Sequence, residues 1–491
     1  MNLITVNNSF RYETENLLRL FYPHIKISED KDDLDAQELC MTQLDGNSIS
    51  VILKKDGFVQ KRTATLSLDD KEFGESDDSF FERKIALMLY EILCESTGYV
   101  PPWGILTGVR PAKLMTNLSK KHGKKAAAEY FMNELKVSEE KTALALMVAE
   151  NEAPIIADSK GDSFSLYVAI PFCPSRCTYC SFVSHSNDSA KKLIPQYVDK
   201  VCEELIYTAE IAKKLSLRLE SIYIGGGTPT VLTAEQLKRI TDTIKENYDF
   251  KYIKEYTIEA GRPDSTDEAK LTVMKNSGCT RISINPQTFN NDVLSLIGRR
   301  HTAEETEECY ALAREKGFNN INMDLIAGLP GDTLHSFEYS LDKAISMNPE
   351  NITVHTLALK RSSNLVTDKM ESSSGDLATK MLSLVQNKLT SAGYIPYYMY
   401  RQSKCLGNLE NVGWAKKGYE GLYNVYMMEE CHTVLAVGAG AVTKLKAPFS
   451  GEIERIFNYK YPYEYINDFE KILNRKNYIE EFYGKYIHEV N

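Results

Sequence analysis

The spacing of apolar residues changes period along this chain, and the changes divide it. Apolar positions recur every three to four residues through Phe10–Tyr22 and again through Phe80–Cys94, which predicts two helices. Between them, Ile49–Leu53 and Phe58–Leu66 are β-rich runs flanking Asp56 and Gly57, a pair suited to a two-residue turn, so a hairpin is expected. Helical periodicity returns over Lys124–Ala149. Residues 101–114 are dense in Gly and Pro yet unusually apolar, which leaves open a packed connection or a lid or docking loop. Residues 151–164 read as a linker.

From residue 165 to about 360 the pattern becomes regular. Short β-rich runs fall at Ser165–Ile170, Ser221–Ile224, Glu255–Glu259, Arg281–Ile284, Ile321–Ile326 and Ile352–Thr356. Segments of helical period, such as Ala190–Leu215, Ala234–Glu246 and Ala303–Lys316, occupy most of the gaps. This alternation predicts an α/β arrangement of parallel strands joined by right-handed crossovers. In barrels of this kind chemistry gathers at the C-terminal strand ends. The remainder opens on a serine-rich stretch at 371–375, followed by an amphipathic helix near Ala378–Leu389 and by tyrosine-rich and glycine-rich segments. The expected organisation is an α+β N-terminal domain (1–155), a central barrel (156–365) and a small α+β C-terminal domain (366–491).

Composition removes several classes of function. The 491 residues are 43% hydrophobic and carry a net charge of −10, which argues against nucleic-acid binding driven by overall charge. No apolar run approaches the ~20 residues needed to span a bilayer. The first residues show no basic start followed by a long apolar stretch, so no signal peptide is expected. Of the ten cysteines most are scattered through helix-like or strand-like segments, as expected of free buried thiols in a reducing cytoplasm.

Three cysteines stand apart: Cys173, Cys177 and Cys180. Their spacing puts three thiolates in one loop, one fewer than a closed four-cysteine iron–sulfur site or structural zinc site uses. His185 is a candidate fourth ligand for a zinc alternative. The loop follows an apolar strand ended by Pro171, with Phe172 before the first cysteine and Tyr179 before the third. This arrangement resembles the radical S-adenosylmethionine (SAM) enzymes. There a 4Fe–4S cluster held by three cysteines leaves one iron to chelate SAM, and reductive cleavage yields a 5′-deoxyadenosyl radical. The resemblance implies a partial (β/α)6 TIM-like barrel of radical SAM type, with metal ligands Cys173, Cys177 and Cys180.

The strand ends carry further candidates. Gly225–Pro229 contains three glycines that let backbone approach a ligand, and it resembles the segment that grips the methionyl amino group, making Gly226, Gly227 and Thr228 contact candidates. Glu259 ends the third strand, where a carboxylate suits an ammonium or a ribose hydroxyl. Gln287 and Asp324 are candidates for ribose hydroxyls, Arg299 for the methionyl carboxylate through its fork, and Ala358 for the adenine. Arg300 is adjacent to Arg299, and spacing alone does not separate the two.

Together, Leu166–Cys173, Gly225–Pro229, Gln287 with Arg299, and Asp324–Pro330 resemble the oxygen-independent coproporphyrinogen III oxidase family, in the subgroup with a long N-terminal region containing Gly108–Lys113. The resemblance implies that Tyr167 contacts SAM or the cluster and that Tyr179 touches a second SAM. It makes Tyr167, Glu259 and Arg299 the catalytic set, with one or two SAM molecules bound. It further implies decarboxylation of two propionates of a tetrapyrrole, coproporphyrinogen III, to vinyls. A flavodoxin-like or ferredoxin-like electron donor is expected with it. Departures point elsewhere: Phe182 stands where the oxidases have another cysteine, as in the related haem-chaperone branch, and Ala169 where they have histidine. Val442 stands where the chaperones have histidine. A haem chaperone and a radical SAM enzyme acting on haem are therefore the alternatives. For the macrocycle, Tyr394–Gln402 and Asn411–Trp414 offer aromatic surface, and Arg401, Lys404, Lys416, Lys444 and Arg262 are candidate carboxylate partners.

Overall fold

The computed structural model describes residues 1–180, 190, 192–358, 375–402 and 404–487. His185, Phe182 and residues 371–374 lie outside the described residues. The chain divides into two units, Met1–Ala149 with Tyr400–Leu409, and Glu150–Met399 with Glu410–Asn491.

In the first unit, β1 (Asn2–Val6), β2 (Leu39–Asp45), β3 (Ser48–Lys55) and β4 (Phe58–Thr65) form a sheet in the order β1-β2-β3-β4. The predicted hairpin is β3–β4, and both turn residues, Asp56 (φ +48°) and Gly57 (φ +83°), take the left-handed backbone that a tight hairpin of this hand demands. Helices Arg11–Phe21 and Asp77–Thr97 pack on this sheet through Leu17, Leu18, Phe80, Ile85 and Leu89.

Two expectations in this region change. The single helix over Lys124–Ala149 is two, Lys124–Asn133 and Glu139–Asp158, broken where Lys136 takes φ +57°. The second runs through Pro154 and absorbs most of the expected linker 151–164, whose last residues start a strand at Ser163. A proline removes one helical hydrogen bond and bends the helix, which tertiary packing tolerates. Segment 101–114 is a packed connection. Trp103 is buried, Arg401 donates from Nε to the Gly108 carbonyl (2.9 Å), and a helix starts at Pro111, a favoured first helical position.

In the second unit, β5 (Ser163–Ile170), β6 (Arg218–Gly226), β7 (Glu255–Glu259), β8 (Arg281–Ser283), β9 (Ile321–Ala327) and β10 (Asn351–Thr356) are parallel neighbours in chain order. The intervening helices include Ile194–Lys214, Ala234–Asn247, Ala303–Glu315 and Leu334–Met347. The last three each begin with a reciprocal capping box, from Thr233, Thr302 and Thr333. This is the alternating α/β arrangement expected from the sequence, six parallel strands in chain order as in a partial barrel.

C-terminal strands extend the same sheet at both edges. On one side are β11 (Ile395–Arg401) and β12 (Glu410–Ala415), the latter antiparallel to β10. On the other, β13 (Thr433–Val437) runs parallel to β5, followed by β14 (Val442–Lys446) and β15 (Ile453–Phe457).

Period-two alternation sorts the six central strands into two faces. Leu166, Val168, Ile222, Ile224, Ile258, Ile282, Met323, Leu325, Ile352 and Val354 are buried on the apolar phase. The opposite phase is polar and cross-linked from strand to strand. Ser165 and Ser221 share a hydrogen bond (2.6 Å), Asn322 donates to Ser283 (3.0 Å), and Thr353 donates to Asn322 (2.9 Å). This polar face ends at the C-terminal strand ends, where the site lies.

Candidate functional site

The three cysteines sit in the turn between β5 and the helix Ile194–Lys214. The loop is pinned to the segment that carries Arg299. The Thr178 N–H donates to the Ile297 carbonyl (3.0 Å) and Ser175 Oγ to the Gly298 carbonyl (3.3 Å). Within the loop the Cys180 N–H donates to the Cys177 carbonyl (3.1 Å). The Thr228 hydroxyl donates to Cys173 Sγ at 3.4 Å, placing the glycine-rich turn against the first cysteine. Among the described residues no three His, Cys, Asp or Glu side chains converge on one metal-ion position. A cluster takes its thiolates on separate irons, so its ligands surround a volume instead of meeting at a point. Three thiols in one loop, outside any disulfide, with the Thr228 hydroxyl directed at Cys173 and Arg262 Nη1 at Cys177 (3.8 Å), fit a 4Fe–4S group.

The glycine turn is built for close approach. A Cβ on Gly227 would stand 2.6 Å from the Phe172 carbonyl and 2.9 Å from that of Ile170. Gly226 has φ +111°, and a Cβ on Gly225 would meet Glu259 at 2.9 Å. The predicted Gly226, Gly227, Thr228 and Glu259 are therefore one neighbourhood. Tyr223 Oη donates to Glu259 (2.5 Å), and Tyr223 stacks on Tyr423 with ring centres 4.5 Å apart. Tyr167 stacks on Tyr423 in turn (6.0 Å). Tyr423 enters from the helix Leu422–Glu429, whose first two N–H groups are held by the Glu255 carboxylate (2.9 and 3.1 Å). Tyr223 and Tyr423 were not among the predicted residues. Tyr223 was legible, since it shares its phase with Ser221 and Gly225, whereas nothing in the local sequence marks Tyr423.

Arg299 donates to Tyr179 Oη (2.9 Å), so the two predicted residues are brought together beside the cysteine loop. Its Nε and Nη1 are buried with no hydrogen-bond partner among the described residues. Buried N–H groups of a guanidinium are costly to leave unmatched, and each of these two calls for a polar, preferably anionic, acceptor. Gln287 is buried in left-handed backbone (φ +67°), held by its N–H to the Asp324 carbonyl (2.8 Å) and by its own carbonyl accepting from the Ile326 N–H (2.9 Å). Such backbone is uncommon in non-glycine residues and clusters at functional sites. Ala358 lies two residues past β10, on the same rim.

Two carboxylates here are pushed in opposite directions. Burial raises Glu259 from the ordinary 4.5 to about 7, against the lowering hydrogen bond from Tyr223. Desolvation also pushes half-buried Asp324 upward, yet His355, 3.7 Å away, and Asn322 (2.7 Å) more than offset it and hold Asp324 below its usual range. At neutral pH Asp324 is anionic, and Glu259 is divided between its acid and its anion. Because the folded chain binds the Glu259 proton more tightly than the unfolded chain, the associated stability is full below pH 4.5 and is lost as pH rises through about 7. Relative to Glu259→Gln, the native protein is expected to lose about 3 kcal/mol of unfolding free energy across that window, measured by denaturant titration. Parallel pH profiles for the two proteins would count against a raised Glu259.

The residues proposed for a macrocycle are mostly occupied otherwise. Arg401 is buried against Trp103 and Gly108. Tyr397, Tyr398 and Trp414 are core residues, and Tyr394 donates to the Pro349 carbonyl (2.6 Å). Lys416 donates to the Asn348 carbonyl (2.9 Å), and Lys444 pairs with Glu430 (3.4 Å). Arg262, expected beside Glu259, turns instead to Asp264 and the cysteine loop. Lys404 remains exposed. Strand tyrosines packed because β11 and β12 extend a buried sheet. Among the described residues no helix is long and apolar enough to cross a membrane.

Comparison with known proteins agrees with this geometry. Residues 167–344 match the Radical SAM superfamily. The oxygen-independent coproporphyrinogen-III oxidase-like protein HemZ of Bacillus subtilis is 35% identical over 484 residues, covering 96% of each chain. The heme chaperone HemW of the same organism is 33% identical over 313 residues, 61% of this chain and 77% of its own. Among solved structures, the coproporphyrinogen III oxidase HemN of Escherichia coli superposes with a TM-score of 0.52 at 24% identity, covering 65% of this chain and 71% of its own, and shares the fold. The cofactors of this superfamily are a 4Fe–4S cluster and SAM. With the superfamily match over its barrel and the HemZ match along nearly its whole length, this chain belongs to the oxygen-independent coproporphyrinogen-III oxidase-like family of radical SAM proteins.

Proposed function

We propose that the protein is an anaerobic, SAM-dependent coproporphyrinogen III dehydrogenase that converts two propionates to vinyls and yields protoporphyrinogen IX. One observation carries the reading. A three-cysteine loop, a glycine turn with no room for a side chain, half-buried Glu259 and the unmatched donors of Arg299 share one end of the barrel. A protein that only stores or delivers a ligand has no need of that set.

In this reading Cys173, Cys177 and Cys180 hold the cluster. The Gly226–Thr228 backbone and Glu259 would receive the amino end of SAM, and the Arg299 guanidinium its carboxylate. Gln287 and Asp324 orient the ribose, Ala358 borders the adenine, and Tyr179 faces a second SAM. A cluster and SAM held there would supply the hydrogen-abstracting radical chemistry that oxidative decarboxylation of a propionate requires. Tyr167, Tyr223 and Tyr423 floor the site and exclude water from beneath it. Asp324 stays charged at neutral pH, whereas Glu259 is able to take or release a proton there. The external partners are a one-electron donor of flavodoxin or ferredoxin type and the tetrapyrrole itself, in the cytoplasm. The expected domain boundaries, 1–155, 156–365 and 366–491, are retained as part of this proposal.

The test is anaerobic reconstitution followed by dithionite, SAM and coproporphyrinogen III, with CO2, 5′-deoxyadenosine and porphyrin mass recorded. A product lighter by two formic-acid equivalents supports the dehydrogenase. A second reading, a haem-binding chaperone, is favoured by the identity to HemW and by Phe182. Stoichiometric haem binding by absorbance titration, with no decarboxylation, would replace the first reading with the second.

A further inference from the structure

Arg262 is 4% exposed, and its guanidinium is engaged on every edge. Nε and Nη2 each donate to the Asp264 carboxylate at 2.9 Å, a bidentate pair that fixes the plane of the group. Nη2 also donates to Ser175 Oγ (3.0 Å), and Nη1 meets the Ser175 carbonyl (3.4 Å) and Cys177 Sγ (3.8 Å). A short 3-10 turn over Pro263–Ser265 brings Asp264 back onto Arg262, and the Ser265 N–H closes it on the Arg262 carbonyl (3.0 Å). His301, also buried, stands behind Asp264 at 3.9 Å. From the opposite side the loop is clamped to Ile297 and Gly298, where a Cβ on Gly298 (φ +76°) would approach the Arg176 carbonyl at 3.3 Å. The cysteine loop is thus gripped between two segments that share no strand.

From this geometry we infer that Arg262 is a positioning residue for the cluster. It holds the Cys173–Cys180 loop in its ligating shape. As a cation donating toward the Cys177 sulfur, it also raises the reduction potential of the cluster bound there. The inference rests on the reading that the three cysteines hold a 4Fe–4S cluster. Reduction adds one electron from an external reductant and makes the cluster more negative. A buried positive charge and an N–H directed at a ligand sulfur favour that state over the oxidised one. Asp264 partly balances the charge from the far edge of the guanidinium, so the cation remains the nearer group to sulfur. Lysine keeps the charge but cannot reproduce the fork.

The experiment uses the full chain, reconstituted anaerobically, with Arg262→Gln and Arg262→Lys beside the unaltered protein. Cluster reduction is followed by spectroscopically monitored redox titration with dithionite, and loop order by hydrogen exchange of residues 173–180 in the metal-free chains. In Arg262→Gln the ratio of reduced to oxidised cluster at a fixed potential is expected to fall about tenfold, equivalent to about 59 mV for a one-electron couple. Loop amides are expected to exchange faster in both variants, and Arg262→Lys to keep a ratio within about twofold of the unaltered protein, since it keeps the cation. A loaded Arg262→Gln chain with unchanged potential overturns the inference. If the Gln variant fails to fold or load, unchanged loop exchange in Arg262→Lys overturns it and faster exchange supports it. Failure of the unaltered chain to take up a cluster instead sinks the reading on which the inference rests.

Discussion

Replacing Cys177 with serine is expected to leave a folded protein that retains no cluster and cleaves SAM only at background rate. Cys177 is the most enclosed of the three loop cysteines, at 8% exposure, with its carbonyl accepting from the Cys180 N–H and its sulfur facing Arg262. Serine preserves the size of the side chain and the backbone hydrogen bond, but a hard hydroxyl is a poor ligand where soft thiolate is needed. The loss should exceed the about 10- to 100-fold that removing an outer partner of a metal ligand typically costs. Iron and sulfide analysis after reconstitution, together with 5′-deoxyadenosine formation, measures it. Cys202→Ser is the contrast, because Cys202 is buried in the helix Ile194–Lys214, away from the loop, and its loss should leave cluster content intact. Full cluster content in Cys177→Ser would remove the basis of the functional proposal.

The second large effect is expected at Glu204, on stability. This carboxylate is fully buried in the helix Ile194–Lys214. It accepts from the Gly438 N–H (2.8 Å), Asn458 Nδ2 (2.8 Å) and Tyr465 Oη (2.6 Å), and it pairs with the equally buried Lys476 at 3.0 Å. Around it, Tyr197 Oη donates to the Ala169 carbonyl (2.7 Å) and accepts from the Ala439 N–H (2.8 Å), and a Cβ on Gly438 would lie 2.6 Å from that same Ala169 carbonyl. The cluster ties the turn after β13 to the end of β5, a few residues before Cys173. Glu204→Ala leaves the Lys476 charge buried without its partner, which costs about 3–5 kcal/mol. Urea unfolding of the apo chain should register that loss. Adding Lys476→Met in the same chain should recover much of it, because replacing both members of a buried pair is far cheaper than removing one. A loss below about 1 kcal/mol for the single change would mean that water reaches Lys476.

Several parts of this picture were readable from local pattern alone. The six central strands fall within a few residues of their predicted positions because each pairs an apolar phase with a polar phase, and because Gly or Pro follows β5, β6 and β9 closely. The hairpin at Asp56 and Gly57 was legible because few other residue pairs accept two consecutive positive φ values. The extended helix through Pro154 was not. A proline marks a probable helix end in sequence, and only packing decides whether the helix carries on past it. The tyrosines of β11 read equally well as a platform or as core, and their fate depended on β12 pairing with β10, a contact between residues about sixty apart.

At the site, residue identity and position were separable. The sequence by itself determined the chemistry on offer: three thiolates at loop spacing, a glycine turn, a carboxylate at one strand end and an arginine fork. These depend on covalent side-chain properties and on short-range spacing, which the chain carries with it before it folds. Only the tertiary structure decided their environment. It set half-buried Glu259 against Tyr223, one of three stacked tyrosines drawn from β5, β6 and a C-terminal helix, and the partial desolvation raises its proton affinity toward neutral pH. It also turned Arg262 from a neighbour of Glu259 into a partner of Cys177, and matched Glu204 with Lys476 across the chain. Proton affinity, charge pairing and desolvation depend on what surrounds a group in three dimensions, and in this chain those surroundings come from segments up to some 270 residues away.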